Sequence, residues 1–275
     1  MRRIHERLFS IFVKPFENYR FIPPEDVQYW EMFGGYPVVP RTQKMARRIP
    51  TRMSMTKNSM LVLSYNFSAS QIRMKIPKDF EDAVLYYGCP EKSVNVFTID
   101  ARYPYVHEME IASLKTVPAT AIEELVVFLR PHDSEKKNKE LIEACRRLAE
   151  LAGVSCVAYY PHELYNVRDI AQLYAFSLAS GLIRDELTAF KPQSTLFYKD
   201  VVDTLCNFAP QFCKEYCLED GKLLKNWHIA YDGYLHRLGS MLMWIPDDKI
   251  DEAEEAYNTY AKLFIKTYFE ERVRL

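Results

Sequence analysis

Residues 125–160 constrain the fold of this chain more than any other stretch. Two short apolar runs, 125–130 and 154–160, flank a segment at 134–151 that carries apolar residues at Leu141, Ile142, Cys145, Leu148 and Leu151. Each run is of strand length and is closed by a proline, Pro131 or Pro161. The segment between them has helical spacing and meets a stop signal at Gly153. A strand, a crossover helix and a second strand give two parallel neighbours in one sheet.

Around this unit the pattern predicts further elements. Residues 4–13 read as an amphipathic helix with Ile4, Leu8, Ile11 and Phe12 on one face, and residues 24–33 as helical turns burying Trp30 and Phe33. Gly34, Gly35 and Pro37 open a loop that runs to about Asn58. Residues 60–65 and 71–76 read as neighbouring strands, 78–87 as a helix, 94–99 and 106–114 as strands, and 119–124 as a short helix. After Tyr160 the β signal fades. Helical patterns follow at 167–183, capped by Asn166, and at 195–217, 223–242 and 248–272. The last has acids at its start, Lys and Arg toward its end, and an apolar face of Ile250, Ala253, Tyr257, Tyr260, Phe264 and Tyr268. The predicted class is α+β, a mixed α/β chain. An α/β domain over 1–162, with a mixed sheet and a basic segment at 41–78, is followed by a helical domain over 163–275.

Charge is where the sequence becomes specific. The whole chain has a formal net charge of −1. Residues 1–31 balance five basic against five acidic residues, whereas residues 32–78 hold nine basic residues and no Asp or Glu, so the remainder carries −10. A 47-residue window without a carboxylate is unusual in a chain that is 27% charged. Arg41, Lys44, Arg47, Arg48, Arg52 and Lys57 are interleaved with Ser, Thr, Gln and Asn. Arg73 and Lys75 alternate with Ile72, Met74 and Ile76, which makes one face of that strand basic. Cations neutralise phosphates, hydroxyls and amides add neutral donors, and the nearby Tyr65 and Phe67 can stack unpaired bases. The bland alternative is a solvated basic loop docked on the chain's own acidic remainder or on an acidic partner protein.

Other constellations are weaker. The two strands of the opening unit end alike, in Arg130-Pro131-His132-Asp133 and Tyr160-Pro161-His162-Glu163. If the strands are parallel, His132, Asp133, His162 and Glu163 emerge at the carboxyl edge of the sheet, where α/β proteins bind ligands. Two imidazoles and two carboxylates suit acid–base work or a divalent metal. The same residues equally terminate strands and cap the next helix. Cys206, Cys213 and Cys217 lack metal-site spacing and read as a core stripe. His228 and Asp232, four apart on a helix, read as a structural pair without a nucleophile. Only eight glycines are present, and neither G-x-x-x-x-G-K-[ST] nor G-x-G-x-x-G occurs.

The expectation from sequence is a non-catalytic nucleic-acid-binding protein that prefers RNA or single strands, with no cofactor and no metal. The alternatives are an enzyme at the sheet edge, with or without a metal, and a structural adaptor that binds protein partners through aromatic helices. No apolar run is long enough to span a bilayer, so no membrane is expected. Six cysteines without a secretory leader suit an intracellular, cytoplasmic protein that is not secreted. Scarce glycine and 19 tyrosines would suit a fast-diverging viral protein.

Overall fold

In a computed structural model that describes residues 14, 16–37, 52–64, 71–84, 110–187, 218–219, 222–223 and 227–273, the strand–helix–strand unit is present as its spacing requires. The strands are β1 (Asn18–Ile22), β2 (Gly35–Tyr36), β3 (Met53–Thr56), β4 (Ile72–Ile76), β5 (Ala83–Val84), β6 (Glu110–Ser113), β7 (Val117–Pro118), β8 (Glu124–Phe128), β9 (Cys156–Tyr159), β10 (Leu218–Glu219) and β11 (Lys222–Leu223). The helices are α1 (Val27–Phe33), α2 (Leu61–Ser64), α3 (Glu135–Ala152), α4 (Pro161–Leu164), α5 (Val167–Leu187), α6 (Trp227–Leu242) and α7 (Ile250–Val273).

The unit closes through local chemistry. The Ser134 hydroxyl accepts the Lys137 backbone N–H at 3.3 Å and caps α3. Gly153 takes the left-handed conformation at φ 70°, so that Val154 N–H returns to the Ala149 carbonyl at 3.1 Å. The face of α3 formed by Leu141, Ala144, Cys145, Leu148, Ala149 and Ala152 is buried against the sheet. Full burial of a leucine such as Leu148 contributes about 1.5–3 kcal/mol. β8 and β9 are parallel, with Leu125 opposite Cys156 and Phe128 opposite Tyr159.

The main sheet has seven strands in the order β5-β6-β3-β1-β4-β8-β9, and every pairing in it except β8–β9 is antiparallel. It is a mixed sheet in an α+β chain. One face is covered by α1 and α3 over Ile22, Met53, Met55, Ile72, Met74, Ile76, Leu125 and Val127. The other lies under α5, α6 and α7. There Met60, Val62, Leu63, Val126 and Phe128 share a core with Ile170, Tyr174, Phe176, Met241, Trp244, Ala253 and Tyr257. Residues on both sides of the 162/163 boundary therefore contribute to one core. Among the described residues no helix is long and apolar enough to cross a membrane.

Several local expectations are corrected. Residues 60–65 do not form a strand: β3 lies earlier, and Leu61–Ser64 is a helical turn. The turn is set by Asn58, whose N–H donates to Thr56 Oγ1 at 2.9 Å and whose Oδ1 accepts the Met60 N–H at 3.0 Å. A short buried apolar run has no period that separates strand from helix. Residues 78–84 are not a helix. After a 3-10 turn at Lys78–Phe80 the chain joins the sheet as β5, opposite Ile111 and Ala112 of β6. Phe33, expected inside, is 49% exposed, because α1 turns only Val27 and Trp30 inward before Gly34 ends it at φ 63°. β1 was not foreseen, although it lies in the middle of the sheet. Gly35 is required by contact: a Cβ there would lie 2.4 Å from the Val117 carbonyl oxygen across the β2–β7 pair. The expected elements at 4–13, 94–99 and 195–217 lie outside the described residues.

The shared core carries a prediction. Phe128→Ala should lower stability by about 3–5 kcal/mol while leaving one cooperative transition. Urea unfolding followed by circular dichroism and by tryptophan fluorescence checks this. Two separated transitions would contradict a core common to sheet and helices.

Candidate functional site

Strand alternation sends Arg73 and Lys75 to the face that α5–α7 cover, opposite Ile72, Met74 and Ile76. Arg73 is 8% exposed. Its Nη1 donates to the Ser59 carbonyl at 3.2 Å and to Tyr165 Oη at 2.8 Å, and its Nη2 pairs with Glu124 at 3.2 Å. The guanidinium lies 5.0 Å from the Tyr19 ring and 5.3 Å from the Phe128 ring. Lys57 is fully buried. Its Nζ donates to Glu81 at 2.6 Å and to Asn18 Oδ1 at 2.9 Å. Burial outweighs the Glu81 charge and moves the Lys57 pKa below its ordinary value. Lys75 is partly exposed, between Glu17 at 3.4 Å and Glu123 at 3.7 Å.

The eight cations expected to hold phosphate thus fall into groups. Lys57 and Arg73 are enclosed and hold the fold together, which corrects the picture of a basic strand face open to solvent. Lys75 lies between carboxylates that come from outside the acid-free window. Arg52 is half-buried just before β3. Arg41, Lys44, Arg47 and Arg48 lie outside the described residues.

The carboxyl edge of the β8–β9 pair receives both Pro-His-acid segments, as parallel strands require. Each group there has a local task. His132 Nε2–H donates to the Ile245 carbonyl at 2.9 Å, tying the β8–α3 turn to the α6–α7 corner. Asp133 accepts from Lys137 at 2.8 Å and from Gln71 at 3.4 Å. Glu163 accepts the Tyr160 backbone N–H at 2.8 Å and closes the start of α4. His162 stacks on Tyr160 with ring centres 5.8 Å apart, and its Nδ1 is buried without a partner. Among the described residues no group of three or more His, Cys, Asp or Glu side chains could hold a metal ion.

The same edge holds a residue that sequence reasoning passed over. Arg130 ends the β8 run and reads as a strand terminator. Alternation nevertheless assigns it to the face of Val126 and Phe128, which is interior. It is 6% exposed, with its guanidinium 4.5 Å from the Trp244 ring centre. Its Nε is buried and, among the described residues, unpartnered. Enclosing an unpaired charge costs several kcal/mol, while stacking on a desolvated aromatic ring returns about 2 kcal/mol. Arg130 is thus a mostly buried cation that meets an aromatic face where a carboxylate would be the usual partner.

Among the described residues, three helical tyrosines are turned inward. Tyr174, Tyr234 and Tyr257 are buried, and Tyr257 Oη donates to the Tyr234 carbonyl at 3.1 Å. Burial raises the pKa of Tyr174 and Tyr257. Cys206, Cys213 and Cys217, and the side chains of His228 and Asp232, lie outside the described residues.

Two predictions follow from these contacts. Arg73→Met should cost about 1–3 kcal/mol, because it removes the bond to Tyr165 and the ring contacts at a covered site, whereas Lys75→Met two residues along should cost less than about 1 kcal/mol. Denaturant titration of both variants compares them directly. His132→Ala should lower stability by about 1 kcal/mol through loss of the Ile245 bond, read as a fall in melting temperature. Compared with known proteins, the chain matches no family model, no curated protein and no solved structure.

Proposed function

We propose that the protein binds nucleic acid, RNA or single strands, without catalysis, and that Arg41, Lys44, Arg47, Arg48 and Arg52 hold the phosphates. The observation that carries this reading is the acid-free window of residues 32–78. Five of its nine cations fall within the twelve residues 41–52, on the connection between β2 and β3. Lys57 and Arg73 drop out of the binding set because each is buried and has a carboxylate partner. What remains is a short basic cluster with neutral donors Thr42, Gln43 and Thr51 beside it. Such a cluster suits a flexible phosphate backbone better than a fixed base sequence.

If five cations engage single-stranded RNA, the slope of log affinity against log salt should be about −3.5. R47E/R48E/R52E should weaken binding to all sequences alike and reduce the slope by about two units. Melting temperature should stay close to that of the native protein. A triple variant with native RNA affinity and a lowered melting temperature would instead mean that the cluster docks on the chain's own acidic remainder, and would sink the proposal. Fluorescence anisotropy at four salt concentrations, with a thermal melt of the same preparations, decides between the two.

A further inference from the structure

We propose that Arg130 anchors an oxyanion-binding site at the carboxyl edge of the β8–β9 pair, which takes the phosphate or carboxylate group of a small molecule. None of its residues belongs to the basic cluster at 41–52.

Three cations are buried among the described residues: Lys57, Arg73 and Arg130. The first two follow the rule for buried charge, since Lys57 has Glu81 at 2.6 Å and Arg73 has Glu124 at 3.2 Å. Among the described residues Arg130 alone of the three has no carboxylate, and its Nε has no acceptor. The acids of the two Pro-His-acid segments are engaged: Asp133 with Lys137 and Gln71, and Glu163 with the Tyr160 backbone. The missing partner is therefore an anion that the described chain does not supply. A guanidinium presents a planar fork of donors that matches two oxygens of a phosphate or carboxylate. Trp244, 4.5 Å away, holds that group in place without accepting a hydrogen bond from it.

Position supports the same ligand. Among open sheets with parallel strands, ligands gather beyond the carboxyl ends of those strands, and β8–β9 is the parallel pair of this sheet. A second unsatisfied atom occurs at that edge: Nδ1 of His162, buried without a partner just after β9. The bond from His132 to the Ile245 carbonyl brings the α6–α7 corner, with Trp244, up against the end of β8. Sheet and helical layer thus meet where the uncompensated cation lies. The 6% of Arg130 that stays open is the route by which a small oxyanion reaches the terminal nitrogens.

The test uses the full chain with inorganic phosphate and with acetate, each titrated against tryptophan emission and melting temperature. One of the two anions should give a saturable, single-site change in emission and raise the melting temperature. The tighter arm tells a phosphoryl ligand from a carboxylate ligand. R130Q should weaken binding by about tenfold or more, and R130K should fall between R130Q and the native protein, because it keeps the charge and loses the fork. W244F should remove the emission change while calorimetry still detects binding. R130M should melt, without anion, no lower than the native protein, because it deletes an uncompensated charge; a structural Arg130 would instead make R130M melt well below it, which would overturn the proposal. Absence of saturable binding in both arms, or equal binding by R130Q and the native protein, would also overturn it. R130Q should leave the salt dependence of RNA affinity untouched, so failure here and failure of the nucleic-acid reading are told apart.

Discussion

Arg73 is the contact through which the two halves of this molecule are tied together. It stands on β4, next to the middle of the sheet, and it touches four parts of the chain. Tyr19 belongs to β1, Glu124 and Phe128 to β8, Ser59 to the turn before α2, and Tyr165 to the link between α4 and α5. Apolar packing supplies most of the attraction between sheet and helices, but it is tolerant of sliding. A charged group with fixed donor directions is not. A buried charge with several directional partners fixes one arrangement among the many that the same apolar surface would allow.

The acid-free window has a different meaning once its partners are known. The window ends at Lys78, and carboxylates that neutralise it come soon after: Glu81 reaches Lys57, and Glu123 and Glu124 reach Lys75 and Arg73. Glu17 approaches Lys75 from the other side. The uneven charge distribution along the sequence is thus partly an effect of strand pairing, in which neighbouring strands bring opposite charges together.

Sequence showed best what is local and periodic. The unit of β8, α3 and β9 was legible because a full helical period lies between two runs with clear stops, and α7 because charge and apolar spacing agree along its length. β1 was not legible: five residues between Pro15 and Pro23 have too little room to display alternation, and both prolines read as breaks. The turn at Asn58 was missed because its two side-chain bonds are invisible in a run of apolar residues. For the candidate site, spacing gave the side of the strand on which Arg73 lies, but not that this side is covered, and Arg130 was read only as the end of a strand. Covering depends on helices more than thirty residues away in the chain. The Pro-His-acid repeat was visible as a repeat, yet its partners, Ile245 and Gln71, come from distant segments.

The place of β1 in the sheet bears on how the chain assembles during synthesis. β1 is the first described strand to leave the ribosome, yet its neighbours β3 and β4 follow it by tens of residues. Until they appear, its backbone donors and acceptors have only water. The sheet must then grow outward from its own beginning, with β9 added last at one rim after α3 has been made. A nascent chain built this way keeps an open strand edge throughout elongation, and is exposed for that time to pairing with other chains.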